Sequence, residues 1–437
     1  MIASIDARAD ELVESLVSPF GPLARVYRLP AARGLSRVTT YSSVAGRVEQ
    51  GYGLSVSHRA KKPIVAGGRA IDDPGRARLV AVAEGAERYA AAHFANDPLL
   101  LSRASDLHGP TMDLNRIPRC SDTELARPGC PLRTFDTDAP MRWIRGLDLQ
   151  TGAATWVPAI MACYRLRGIT ESERFWYPIS TGYAVHSDPA EALVRAIFEI
   201  IERDIIAVLW LQMLPLPLIS PADISPESDY LIAMAERHFA QNYLFDATTD
   251  IGVPTVYCLR VAAHDACASH VVGCAVDRDI ASAAQRALLE ANVISSLYYA
   301  EDAIPSKFED FLNIEDGARY MAARERASAF DFLKMGASER APAQRRKLPD
   351  EPGQALAFLI RRLSDKGMQA IAVDRTPPEL AVKGLTAVCV IIPDMQPLTM
   401  HPFAQYRAHS RLYSAPDLMG FPVRTEKELN SWPQPFA

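Results

Sequence analysis

Several features that would assign this chain to a class at a glance are missing. There is no excess of basic charge. The 437 residues carry a net charge of −5 and a pI near 6.0, so no cationic footprint argues for nucleic acid. There is no long hydrophobic run. The longest, near Ile205–Leu211, is too short to span a bilayer, so no membrane partner is expected. The opening MIASIDARADELVESL is acidic and has no basic n-region ahead of an apolar stretch. No signal peptide is read there, and the expected location is the cytoplasm. Cysteine is sparse, seven in all, and the spacing fits no zinc template. Free thiols in a reducing compartment follow. The nine histidines are scattered, and only His186 lies near the pattern described next, in a turn. A carboxylate di-iron centre would need Glu-x-x-His, and no histidine stands at that spacing in the E-x-x-E-R motifs described next.

What the chain does have is a pattern used three times: Gly67–Asp73–Glu84, Gly182–Asp188–Glu199 and Gly273–Asp279–Glu290 share one spacing. The first two copies agree further. Asp-Pro opens a helix in each, and each pattern ends in E-x-x-E-R: Glu84, Glu87, Arg88 and Glu199, Glu202, Arg203. The third keeps Arg286 and Glu290 four apart, on one helix face. The aspartates read as N-caps, with proline at the first helical position in two of them. Asp188, Pro189 and Glu191 also fit a capping box.

A lone E-x-x-E-R is usually a solvated ion pair. The second copy is different, because Ile197, Phe198, Ile200, Ile201, Ile205 and Ile206 surround its charges. A helix apolar all round is buried, and buried carboxylates require a counter-charge. Clustered hard oxygen ligands beside arginines suit Mg²⁺ together with substrate phosphates. The site is expected beside the helix middles, about 16 Å from each cap at ~1.5 Å per residue. Arg69, just before the first helix, is within reach of a phosphate on the same reading.

The expected organisation is α/β, with strand–glycine turn–helix units in series. Residues 1–60 read as an N-terminal helix and strands that form part of the core, and 61–437 as the main domain. Helices are expected near 74–94, 228–242, 280–299 and 354–366, and after Ser187. Strands are expected at 35–60, 63–67, 155–168, 243–248, 254–262, 269–276, 369–374 and 386–392. Residues 97–142 read as irregular, 335–353 as a mobile polar segment, and everything from Pro393 as a proline-bearing tail without periodicity.

With these residues in view, the sequence resembles the YcaO family. The resemblance rests on AVAEGAERYAA (81–91), STGYAVHSDPAEALVRAIFEIIERD (180–204), GCAVDRDIASAAQRALLEA (273–291), VCVIIPDMQPL (388–398), HSRLY (409–413) and the terminal WPQPFA. It implies one ATP-binding cleft and ATP- and Mg²⁺-dependent modification of peptide backbone amides. A nucleophile adds to the amide carbonyl, and ATP phosphorylates the former amide oxygen so that it can leave. The first product expected is an azoline on a ribosomally made precursor peptide. A thioamide is the alternative, and a non-catalytic nucleotide-binding scaffold subunit is a further one. By position, Glu84, Glu87, Glu199 and Glu202 match the family's Mg²⁺ carboxylates. Arg203, Glu191 and Arg286 match ATP contacts, with Arg88, Glu290 and Arg69 beside them. Pro433, Pro435 and Ala437 match the terminus that serves the reacting amide. Gly68-Arg69-Ala70 replaces a common G-K-G, Val293 a common glutamine, and Ala437 a final proline. The resemblance also implies a separate partner that recruits the peptide or delivers sulfide. A homodimer is compatible with it.

Overall fold

The computed structural model describes residues 11–32, 34–46, 64–93, 98–299, 305–307, 310–311, 314–335, 345–399 and 401–436. The strands, in chain order, are β1 (Leu23–Arg28), β2 (Val38–Ala45), β3 (Val65–Ile71), β4 (Leu100–Ser102), β5 (Met141–Asp148), β6 (Ala154–Pro158), β7 (Tyr183–His186), β8 (Gln241–Asp246), β9 (Thr255–Val261), β10 (His270–Val276), β11 (Ile371–Asp374) and β12 (Thr386–Ile391). The longer helices are α1 (Pro74–Ala92), α2 (Pro189–Gln212), α3 (Pro226–Arg237), α4 (Ile280–Ile294), α5 (Ile314–Ala322), α6 (Pro352–Asp365) and α7 (Arg411–Leu418). The architecture is mixed α/β.

The chain divides into two compact units, each built from three stretches of sequence. The first comprises residues 1–112, 136–197 and 370–391, and holds two sheets. One is the meander β1-β2-β3. The other is six-stranded, in the order β4-β5-β11-β12-β7, with β6 also paired to β5. Every pair is antiparallel. Helix α1 packs on the meander through small residues. Val82, Ala86 and Ala90 join Val13, Leu16 and Leu23 in a core that also takes in Leu380, Leu385 and Ala387.

The second unit comprises residues 113–135, 198–369 and 392–437. Its sheet runs β10-β9-β8, again antiparallel. Its core gathers the lower half of α2, from Ile205 to Leu211, with Phe245, Tyr257, Phe330, Leu412 and Phe436. Each such side chain contributes roughly 1.5–3 kcal/mol on burial. The boundary between the units falls within α2, after Ile197.

All three repeat aspartates cap their helices. Asp73 accepts from the Arg76 amide at 2.8 Å, Asp188 from Ala190 at 2.8 Å, and Asp279 from Ser282 at 2.9 Å. The turn role of His186 is also seen: its Nδ1 accepts from the Asp188 amide at 2.9 Å.

Four local expectations are corrected. The strand at 155–168 ends at Pro158, and Ala159–Ala162 turn into helix; an apolar run does not by itself distinguish the two states. The helix at 228–242 stops at Arg237, where Phe239 takes φ +55 and the chain turns into β8. The segment 97–142 contains β4, because Trp143 Nε1 and the backbone of β5 hold it in register. The tail from Pro393 contains α7, whose Pro416 disguised it in sequence.

Of 335–353, residues 336–344 lie outside the described set. Beyond them Arg345 pairs with Asp223 and, at 2.8 Å, with Asp246, and Leu348 is buried. The strand expected at 35–60 is described only to 46. No helix among the described residues is long and apolar enough to cross a membrane.

Candidate functional site

In the second unit, α2 and α4 bring a dense set of charges together. Arg203 lies 3.5 Å from Glu199 and 3.6 Å from Glu202, so one guanidinium serves both carboxylates of the E-x-x-E-R motif. The surrounding isoleucines and Phe198 are buried, as the apolar sequence required. From α4, Arg286 donates to the Val276 carbonyl at 2.9 Å and pairs with Asp277 at 3.1 Å. Glu290 accepts from the Cys274 amide at 2.9 Å.

These groups feel one another. Burial raises the Glu202 carboxyl to about 7; Arg203 and Arg286 oppose the rise, while Glu290 and Glu199 add to it. Partial desolvation works against the charge on Arg286, whose side chain stays about half exposed, yet Asp277 and Glu202 outweigh it and hold the guanidinium protonated.

The tail reaches the same place. Asn430 donates its amide to the Leu211 carbonyl at 2.8 Å. Trp210 Nε1 donates to the Trp432 carbonyl at 3.0 Å, and Gln434 Nε2 to the Ile206 carbonyl at 3.5 Å. Pro433 and Pro435 are buried. The Phe436 ring centroid sits 4.8 Å from the Arg203 guanidinium carbon, within cation–π range. Ala437 lies outside the described residues.

One residue further on, a buried network fixes this stretch of α2. Asp204 receives Arg411 at 2.8 Å and the Gln396 amide at 2.8 Å. Arg411 also lies 2.8 Å from Asp250. The HSRLY element therefore anchors α2 beside Arg203.

The first unit holds the other sequence-predicted residues. Glu84 pairs with Arg88 at 3.3 Å and accepts from the Gly67 amide at 3.2 Å. Arg88 also donates to Ser180. Glu87 is half-buried on the same helix, and Arg69 stands on β3 opposite Thr40. Glu191 is buried and accepts from Arg195 Nε at 2.8 Å.

Sequence reasoning missed Asp277, Ser180 and Arg195. Asp277 had a faint signal, since it follows β10 just before the capped helix. Ser180 had none, because its partner Arg88 lies far away along the chain.

Among the described residues no three histidine, cysteine or acidic side chains already form a metal cage. Mg²⁺ does not need one, since it is usually held by one or two carboxylates with waters and phosphate oxygens. The donors fit it: hard carboxylates, one with its charge suppressed by burial and acidic neighbours, beside guanidiniums suited to phosphate.

The comparisons agree with this chemistry. A family model described as YcaO cyclodehydratase, ATP- and Mg²⁺-binding, matches residues 68–396. The chain belongs to the YcaO family, whose cofactors are ATP and Mg²⁺. A protein of Rhizobium leguminosarum bv. trifolii, described as uncharacterized and in the tfuA 3' region, is 30% identical over 190 residues. That match covers 41% of this chain and 42% of the relative. Among solved structures, a heterocyclase in complex with substrate and cofactor has the same fold, with a TM-score of 0.81 and 20% identity. The likeness covers 99% of this chain and 57% of the heterocyclase, so this chain spans little more than half of it. The YcaO protein of Methanopyrus kandleri, bound with AMPPCP and Mg²⁺, gives a TM-score of 0.61 at 17% identity over 90% of each chain.

Proposed function

We propose that this chain is an ATP- and Mg²⁺-dependent enzyme that modifies backbone amides of a ribosomally made peptide, closing Cys, Ser or Thr side chains into azolines. The observation that carries the reading is the cluster of Glu199, Glu202, Arg203, Arg286 and Glu290, with Phe436 of the tail over Arg203. When bound, ATP supplies the phosphoryl group that makes an amide oxygen a competent leaving group, and Mg²⁺ neutralises its phosphates.

The chain's own residues provide the setting. In this reading Arg203 and Arg286 hold phosphate oxygens, with Arg69, Arg88 and Glu191 as further nucleotide contacts. Glu84, Glu87, Glu199 and Glu202 are the carboxylates available to the metal. Glu290 has a dual place, since one of its oxygens already holds β10. Pro433, Pro435 and Ala437 belong to the segment that positions the reacting amide. A separate protein recruits the peptide in this reading; a sulfide-delivery protein would take its place if the product were a thioamide.

The test incubates the full chain with Mg-ATP, a Cys-containing precursor peptide and its recruiting protein. The expected result is loss of one water per ring by mass spectrometry, coupled to ATP consumption. Exchange of oxygen for sulfur on adding sulfide would instead assign thioamidation. Glu199→Gln should abolish turnover without lowering the melting temperature. A chain that binds Mg-ATP yet leaves every peptide unchanged is the scaffold subunit, and this reading is then wrong.

A further inference from the structure

The second unit also contains a cavity of about 320 Å³ that the cluster above does not use. Its walls include Arg127, Leu211, Phe403, Arg407, Trp432 and Pro433. One side is thus the proline-bearing tail, and the other carries two guanidiniums.

The arginines are held rather than loose. The Arg127 guanidinium carbon lies 3.8 Å from the Phe403 ring centroid, which fixes its plane while leaving its N–H edge available. Arg407 is half-buried, and its Nε has no hydrogen-bond partner. The nearest acid, Glu124, stands 4.0 Å from that Nε. Its oxygens already accept from the amides of Ser121, Gln405 and Arg407. Glu124 therefore neutralises Arg407 only in part. Two cations beside Phe403, Trp432 and Leu211 suit a carboxylate carried on an apolar stem. A charged edge of guanidinium matches a carboxylate in shape as well as in sign.

The location narrows the source. Pro433 lines the cavity, and Phe436, three residues on, touches Arg203. Three residues span no more than about 11 Å. A peptide presenting an amide near Arg203 can therefore place a side chain a few residues away into this cavity. We infer that the cavity is a specificity subsite that takes an Asp or Glu side chain of the peptide substrate, close in sequence to the residue modified. The inference rests on the peptide-modifying reading above.

The test uses fluorescein-labelled synthetic peptides with one cysteine and a single Glu, Gln or Lys three residues from it, each with a free or an amidated C-terminus. Binding to the full chain is read by anisotropy. The Glu peptide should bind at least about tenfold more tightly than the Gln peptide. Arg127→Glu should reverse the order, with the Lys peptide then preferred. Arg127 is exposed, so this variant should keep the wild-type melting temperature. If it does not fold, Arg407→Gln must lower the Glu preference by itself. Equal binding of the Glu and Gln peptides overturns the subsite. So does a preference that follows the free C-terminus, or one that survives Arg127→Glu. A parallel loss of Mg-ATP affinity in that variant would assign the arginines to the nucleotide and also overturn it. The two readings fail separately: peptides modified without a Glu preference sink the subsite alone, while a Glu preference without modification sinks the proposed reaction alone.

Discussion

Glu202 and His409 are both buried ionisable side chains, and burial moves them in opposite directions. Loss of water favours the neutral form of each, so the carboxyl rises to about 7 and the imidazole falls to about 4. His409 is pushed further by Arg411. His270, stacked on Phe330 at 5.0 Å with neither ring nitrogen hydrogen-bonded, also falls to about 4, chiefly through burial. For both histidines the folded-state value lies below the unfolded one near 6.5. Their contribution is complete above about pH 6.5 and is lost as pH falls towards 4, because the unfolded chain then binds more protons. Each contributes on the order of 3 kcal/mol across that window. Glu202 works the other way, since its raised carboxyl gains stability as pH falls from about 7 towards its ordinary value, so the urea midpoint should fall between pH 6.5 and 4 by less than the two histidines alone would give. His270→Phe, which keeps the stacking, should flatten part of that fall; an unchanged pH profile would refute the assignment. At the same scale, Arg286→Ala should weaken Mg-ATP binding by roughly 1.5–3 kcal/mol in calorimetry. Binding at wild-type strength would remove Arg286 from the site. Its pairing with Glu290 looked natural from the spacing. The structure gives it Asp277 instead, while Glu290 holds the Cys274 amide, and sequence could not choose among neighbouring acids.

The elements show why the repeat could be read and where it misleads. The caps were plain, since Asp-Pro before an apolar helix has one economical meaning. The glycines were less so. A Cβ on Gly273 would lie 2.4 Å from the Ala287 carbonyl oxygen, and one on Gly68 would lie 2.1 Å from that of Ala77. Gly67, which aligns with Gly273 in the pattern, would meet nothing closer than 3.8 Å. The strand-on-helix contact is therefore offset by one residue between the two copies. The carboxylates follow the same logic. β3 and β10 are edge strands, and Glu84 and Glu290 accept from their outward amides, Gly67 in one case and Cys274 in the other. An edge amide left unpaired beside a helix would be costly. Gly273→Ala should destabilise the protein by about 3 kcal/mol, since backbone must move, whereas Gly67→Ala should cost less than about 1 kcal/mol. Thermal unfolding of the two variants decides it; equal losses would mean that crowding at Gly273 is not what requires glycine. The mistaken strand at 155–168 and the hidden helix α7 share one cause. Both are short, and packing decides their state more than local preference does, with the buried Arg411 network adding to it at α7 alone.

Across the whole molecule, the parts that mattered most were the ones least visible in sequence. Each unit is assembled from three separate stretches, and β5 pairs with β11 from far along the chain. The tail is the sharpest instance. Its prolines, aromatics and lack of charge suggested a segment that could dock at small entropic cost. Nothing local said that it would run back along α2, with Trp432 under the Trp210 indole N–H and Phe436 on Arg203. Phe436 belongs to the core of its unit as well, so removing the tail has a structural cost of about 3–5 kcal/mol on that account. A deletion of Trp432–Ala437 must therefore be read beside Phe436→Leu, which keeps the core filled but removes the ring from Arg203. Both should lower product formation strongly. Mg-ATP affinity should stay within about threefold, or about 0.65 kcal/mol, because the tail faces Arg203 through an aromatic face and carries no charged side chain. Phe436→Leu turning over at the wild-type rate would confine the ring to packing. A large loss of Mg-ATP affinity in the same variant would move the tail from the peptide side of the reaction to the nucleotide side.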